Sequence, residues 1–287
     1  MEKINILRNI QLTGADNRPF LLDFYCKLNN TKKPVVIFTH GFKGFKDYGC
    51  WDLVAKAFAE NGFAFVKYNI SHNGTTIDQP TDFADLEAFG NNNFSKELAD
   101  LGAVIDWLSN GDVGIPISEF KRRKIYLIGH SRGGATTLLK AAEDSRVKKI
   151  STWAGVSSLG RYWSNKEGVA YWRKKGVHYI ENSRTKQQMP LYFQLHEDYF
   201  ANEKRLSLER NIPKIKAKGL IVHGMKDETV PWRSARAIAE NNPKFEKLLI
   251  AEMDHGLGGK HPWDSETLPT HLTHIVGRCV DFFKGSK

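Results

Sequence analysis

The run Ile125-Tyr126-Leu127-Ile128-Gly129-His130-Ser131-Arg132-Gly133-Gly134-Ala135 constrains this chain more than any other stretch. An apolar strand passes through a turn too tight for most residues and enters the start of a helix. Gly129 and Gly133 flank Ser131 at the spacing Gly-x-Ser-x-Gly. A serine on so sharp a strand-to-helix turn has a strained backbone, and a β-carbon two residues to either side would clash. The turn lifts the hydroxyl out of the sheet. It also aims the first helical N–H groups at whatever the hydroxyl attacks. Glycine and serine are common, so the spacing alone says little. Its weight comes from the apolar run before it and the helical run from Gly134 to Ala142 after it.

The rest of the chain supplies a setting for such a turn. Residues 4–12 and 20–28 read as an opening hairpin joined by the turn residues 13–19. Buried strands are predicted at 33–40 and 63–69, and further strands at 124–129, 147–153, 218–224 and 247–251. Helices are predicted across 51–60, from Ser95 (a candidate cap) with Leu98, Leu101, Ile105 and Leu108 at helical spacing, and across 232–241 and 268–284. Residues 71–94 read as a long polar loop, a kind that is often functional. Residues 157–213 break the alternation. They are basic and aromatic, and hold five of the nine tyrosines. Strands alternating with helices predict an α/β fold, a mostly parallel sheet covered on both faces. The expectation is one domain over 1–287, with 157–213 inserted as a cap because it lacks the aliphatic periodicity of an independent core.

Composition narrows the function classes. The formal net charge is +10 over 287 residues. The basic residues are scattered, and the densest run, Lys121 to Lys124, is predicted to be a solvated loop before a strand. No nucleic-acid-binding motif accompanies them, so no nucleic-acid partner is expected. No apolar run approaches the ~20 residues that span a bilayer. The N-terminal residues lack the apolar block of a signal peptide. Cys26, Cys50 and Cys279 are odd in number and widely spaced, which fits a reducing compartment and a cytoplasmic location. His271 and His274 stand at i, i+3 on a predicted helix, but no third ligand is evident and no metal is expected. The run Gly256 to Lys260 lacks phosphate-loop spacing, and no cofactor is expected.

A serine hydroxyl needs a base within hydrogen-bond reach, and that base needs an orienting acid. In an open parallel sheet such groups lie beyond the carboxyl ends of the strands. After strand 218–224 comes Asp227, with Glu228 the neighbouring alternative. After strand 247–251 comes His255 on a glycine-rich loop, with His261 the alternative. An oxyanion needs N–H donors. One should be the backbone N–H of Arg132, directly after the nucleophile. The other should come from the loop after strand 33–40, at Phe42. His40 is expected to brace that loop and to border the substrate pocket. Tyr162, Trp163 and Trp172 of the aromatic segment are expected to wall it.

These residues together resemble the α/β-hydrolase superfamily. The resemblance rests on Gly129-His130-Ser131-Arg132-Gly133, on His40-Gly41-Phe42, on His223 to Pro231 with Asp227, and on Asp254-His255, in the chain order Ser, Asp, His. It is strongest to the dienelactone-hydrolase-like and small serine esterase branches, which share the His-Gly-Phe loop and Asp-x-x-Val-Pro. Dienelactone hydrolases proper carry cysteine where this chain has Ser131. The resemblance implies a serine hydrolase acting on a small-molecule ester. Its alternatives are an exopeptidase-like or other acyl-transfer hydrolase and, from another class, a non-catalytic binding protein on the same fold. Oligomeric state is not encoded in any motif of the chain.

Overall fold

The computed structural model describes residues 3–160 and 165–285. In chain order the elements are β1 (Ile4–Thr13), β2 (Pro19–Lys27), β3 (Lys33–Thr39), α1 (Trp51–Glu60), β4 (Ala64–Tyr68), α2 (Leu86–Gly90), α3 (Phe94–Asn110), β5 (Phe120–His130), α4 (Arg132–Glu143) and β6 (Val147–Trp153). Then come α5 (Lys166–Lys175), β7 (Val177–Glu181), β8 (Gln188–Tyr192), α6 (Gln194–Ala201), α7 (Glu203–Leu206), α8 (Leu208–Asn211), β9 (Lys218–Gly224), α9 (Arg233–Glu240), β10 (Phe245–Ile250) and α10 (Thr270–Lys284).

Eight strands form one sheet in the order β1-β2-β4-β3-β5-β6-β9-β10. β1 pairs antiparallel with β2 and β2 antiparallel with β4, while β4, β3, β5, β6, β9 and β10 run parallel. Central strands without polar alternation need cover on both faces. Alternate residues of β3 and β5 show how it is supplied. Val35, Ile37, Ile125 and Leu127 pack with Leu98, Leu101 and Ile105 of α3 and Leu138 of α4. Val36, Phe38, Tyr126 and Ile128 pack with Trp51, Val54 and Phe58 of α1 and Leu272, Ile275 and Phe283 of α10. Among the described residues no helix is long and apolar enough to cross a membrane.

Three local expectations are corrected. Lys121 to Lys124 do not precede the strand. They form the outer end of β5, where Lys33 pairs with Phe120 before the register shifts. Asn93, not Ser95, caps α3, its side chain accepting from the Lys96 N–H at 2.9 Å. The segment 71–94 is not an open loop. Ser71, His72, Asn73 and Thr75 are buried, α2 forms within the segment, and Phe83 and Phe89 pack with Phe45 and Met189. Its polar side chains were legible as polarity. Their burial arises from tertiary partners far along the chain.

The segment 157–213 contributes α5, the separate two-stranded ribbon β7–β8 and the short helices α6 to α8. Leu195, Leu206, Leu208 and Ile212 join the same core as α3 and α4.

One buried charge cluster fixes the loop after β3 to the sheet. Lys67 on β4 reaches Asp23 on β2 at 2.9 Å, Asp52 at 2.6 Å, and Asp47. Lys46 reaches Asp23 at 2.9 Å and Asp47 at 2.6 Å, and Arg8 pairs with Asp23 at 3.2 Å and with Asp52. The three carboxylates lie within 4.8 Å of one another, spacing that would suit a cation, and the Lys67 ammonium supplies one. Burial pushes the Asp23 carboxyl up, but Lys67 and Lys46 outweigh it and hold the group below its usual range. Removing one partner of a buried ion pair strands the other. Lys67→Met should therefore lower stability by about 3–5 kcal/mol, read as a fall in the denaturant midpoint.

Candidate active site

Ser131 sits between β5 and α4 at φ 56° and ψ −121°. Such a backbone needs close neighbours without side chains. A Cβ at Gly129 would lie 2.1 Å from the carbonyl oxygen of Gly133. One at Gly133 would lie 2.3 Å from the Thr39 oxygen and 2.5 Å from that of His40. Real β-carbons do not approach backbone this closely, so the two glycines let the turn pack directly on the end of β3. The Ser131 N–H donates to Trp153 O at 2.9 Å, tying the turn to β6 as well.

The other groups arrive from neighbouring strand ends. The loop after β10 brings His255 Nε2 to 3.1 Å from Ser131 Oγ. The loop after β9 brings Asp227 Oδ2 to 2.8 Å from His255 Nδ1. Asp227 is buried, and its other oxygen accepts from the N–H groups of Thr229 at 2.9 Å and Val230 at 2.8 Å. Burial alone would raise its pKa. Hydrogen bonds from His223, His255 and the Val230 N–H more than offset this and hold the carboxyl well below the usual range. An ionised Asp227 accepts, so the imidazole proton resides on Nδ1 and the Nε2 lone pair faces the serine hydroxyl. Glu228 is exposed and has no hydrogen bond to His255. His261 accepts from the Gly49 N–H at 2.9 Å and stacks on Tyr48, a bracing position.

Several groups at this site carry no sign of their role in the sequence. His223 Nε2 lies 2.9 Å from Val230 O and 3.2 Å from Asp227 Oδ2, so its one proton is shared between a carbonyl and the carboxylate. His130 donates from Nε2 to the His255 carbonyl at 2.9 Å, with ring centroids 5.0 Å apart. Burial, reinforced by His255, pushes the His130 pKa down to about 3, so the ring is neutral and can serve only as a fixed donor and acceptor near neutral pH. The signal for His130 was its place inside the elbow, and for His223 its place at the end of a buried strand. Neither spacing reveals a partner a hundred residues away or across a turn.

The loop after β3 is held against the turn. A Cβ on Gly41 would lie 2.9 Å from Ser131 Cβ, so its backbone runs beside the nucleophile. His40 is buried and lines the cavity. Its Nε2 accepts from the Ile70 N–H at 3.3 Å, leaving Nδ1 to donate to Gly41 O at 2.9 Å. Burial pushes its pKa down to about 4. Phe42 and Arg132 are expected at the site for their backbone N–H groups, yet their side chains also touch. The guanidinium lies 4.3 Å from the Phe42 ring centroid and pairs at 2.5 Å with buried Glu97 of α3. Glu97 also accepts from Asn92 at 2.9 Å and Thr136 at 3.1 Å.

A cavity of about 220 Å³ opens over Ser131 and His255. Its walls come from the loop after β3, from Trp51, from the loop after β10, and from Asn182, Ser183 and Arg184 at the β7–β8 tip. Trp172 does not line it. Its indole N–H donates to Leu191 O at 2.7 Å and its ring meets Phe193 edge-on, so it packs within its own segment. Aromatic content alone cannot distinguish a wall from a packing residue. Tyr162 and Trp163 lie outside the described residues. His271 and His274 are on α10, and neither belongs to a group of ligand spacing among the described residues.

A family model described as alpha/beta hydrolase fold matches residues 34–165. No curated protein sequence matches the chain. Among solved structures, Est1E from Butyrivibrio proteoclasticus with ferulic acid bound is similar at a TM-score of 0.70 and 19% identity, covering 96% of this chain and 98% of that one. Alpha/beta hydrolase domain-containing protein 10 from mouse is similar at 0.67 and 16%, covering 97% and 99%. The esterase domain of a Rhodothermus marinus protein is similar at 0.55 and 18%, covering 88% and 90%. The chain has the α/β-hydrolase fold.

The Glu97–Arg132 pair yields a test independent of activity. Glu97→Leu leaves a buried guanidinium without its carboxylate and should cost about 3–5 kcal/mol of stability. The double variant Glu97→Leu, Arg132→Met should recover much of that loss in chemical denaturation, since replacing a whole buried pair costs less than breaking it.

Proposed function

We propose that this α/β-hydrolase cleaves carboxylic esters through an acyl-enzyme on Ser131. The observation that carries the reading is the unbroken hydrogen-bond chain from Asp227 through His255 to Ser131. Ser131 Oγ attacks the ester carbonyl while His255 Nε2 takes its proton. The same nitrogen then gives the proton to the leaving alkoxide. Asp227 holds the imidazole tautomer and stabilises the imidazolium. The backbone N–H groups of Arg132 and Phe42 receive the oxyanion. The closeness of Gly41 to Ser131 and the contact between the Arg132 and Phe42 side chains support that pairing. Water admitted through the cavity attacks the acyl-enzyme, with His255 acting as base in turn, and releases the acid.

The segment 157–213 acts as a cap. Asn182, Ser183 and Arg184 are its contribution to the cavity wall. The likeness to an esterase domain and to a structure holding ferulic acid favours esters as the substrate class.

Ser131→Ala should reduce turnover of p-nitrophenyl esters by roughly 10⁴-fold or more while the unfolding transition persists. A fluorophosphonate probe should label Ser131 and fail to label the variant. Labelling at another residue would refute the assignment. Asp227→Asn should lower kcat by about 10⁴-fold by reversing the tautomer. Glu228→Gln should leave it near the wild-type value, and the opposite pattern in the same steady-state assay would make Glu228 the acid.

A further inference from the structure

The formal charge of +10 is scattered along the sequence, but the fold gathers three cations around one cavity. Lys43 comes from the loop after β3, Arg184 from the β7–β8 tip and Lys260 from the loop after β10. Among the described residues lining the cavity there is no aspartate or glutamate. Nor does any of the three cations form an ion pair with another described residue. Among the described residues the only polar contact of the Lys43 ammonium is the carbonyl oxygen of Glu181 at 3.4 Å. Cations buried elsewhere in the fold are paired. Lys33 pairs with Glu119, Arg132 with Glu97, Lys140 with Glu143, and Lys46 and Lys67 with the Asp23 cluster.

Lys43 adds a second, independent observation. It sits at φ 58°, in the left-handed region that glycine adopts freely and a lysine does not. It is half-buried, and burial pushes its pKa down. A strained, half-buried ammonium without a counter-ion at the wall of a reactive cavity is a site awaiting an anion. Arg184 and Lys260 are exposed, so they stand at the mouth, with Ser131 and His255 deeper in. The cavity, at about 220 Å³, suits a small ligand.

We infer that the substrate is a small ester bearing an oxyanion, a carboxylate or a phosphate-like group, which Lys43, Arg184 and Lys260 receive while the ester carbonyl meets Ser131. This rests on the ester-hydrolase reading above and specifies its substrate class. The anion is not altered in the reaction; it holds the ester in register and raises its local concentration.

The test compares matched esters on the full-length chain. One pair is mono-p-nitrophenyl glutarate against p-nitrophenyl pentanoate, with the charge on the acyl side. The other is m-carboxyphenyl butyrate against phenyl butyrate, with the charge on the alcohol side. In at least one pair the anionic ester should have a kcat/KM about tenfold or more above its neutral match, mainly through KM. That ratio should collapse towards one in the triple variant Lys43→Gln, Arg184→Gln, Lys260→Gln, and when salt is raised to about 0.5 M. A phosphonate in place of the carboxylate tells which oxyanion is preferred. Equal turnover in both pairs, or a preference that survives the triple variant, overturns the inference while leaving ester hydrolysis standing. Calorimetry with glutarate and with its neutral diamide, glutaramide, separates the two claims if no ester is cleaved. Glutarate binding that is lost in the triple variant upholds the anion site and refutes the hydrolase reading. No preference for glutarate refutes the anion site.

Discussion

The contact on which the site depends is one between backbones. Ser131 holds a positive φ, a conformation that costs about 1–3 kcal/mol for a residue with a side chain. It persists because Gly133 lies directly on the carbonyls of Thr39 and His40, and Gly129 lies directly on Gly133. The end of β3, the elbow after β5 and the start of α4 thus form one unit with almost no room to move. His40 continues the bracing on the far side of the β3 loop, between Ile70 and Gly41. The serine is presented by packing that would not tolerate a methyl group at either flanking position.

Charge is handled in two opposite ways in the same molecule. Where charges serve the fold, they are balanced. Arg8, Lys46 and Lys67 face Asp23, Asp47 and Asp52, and Arg132 faces Glu97. Asp227 has every acceptor direction occupied by donors, so it stays ionised and fixes His255. At the cavity the balance is abandoned and positive charge is left in excess. Low-dielectric walls strengthen the field of such an excess, so the two regimes have different consequences for a ligand and for the folded state.

The sheet was readable because its signals are local. Apolar runs such as 33–39 and 125–129 carry strand identity in a few consecutive residues, and the elbow announces itself through glycine spacing. Asp227 and His255 could be singled out because residues just past parallel strands converge. What escaped depends on distant partners. Asn93 and Ser95 are both plausible caps until the backbone selects one. Trp172 reads like a pocket wall, but the choice between packing and lining is made by Leu191 and Phe193. The burial of 71–75 follows from contacts with Arg18 of the β1–β2 turn, with α3 and with the β3 loop, none of them neighbours in sequence. Scattered cations could not be assigned to one place until three loops met.

The ribbon of β7 and β8 shares no backbone ladder with the main sheet, yet its tip stands in the cavity wall. It is attached through side chains instead, with Gln187 on Phe83 O and the Tyr192 ring lying close over Gly90. A tip tethered in this way can lengthen, shorten or change composition without altering strand register beneath Ser131. The chemistry and the choice of molecule it acts upon are therefore separable, and divergence among proteins built like this one has a ready place to accumulate.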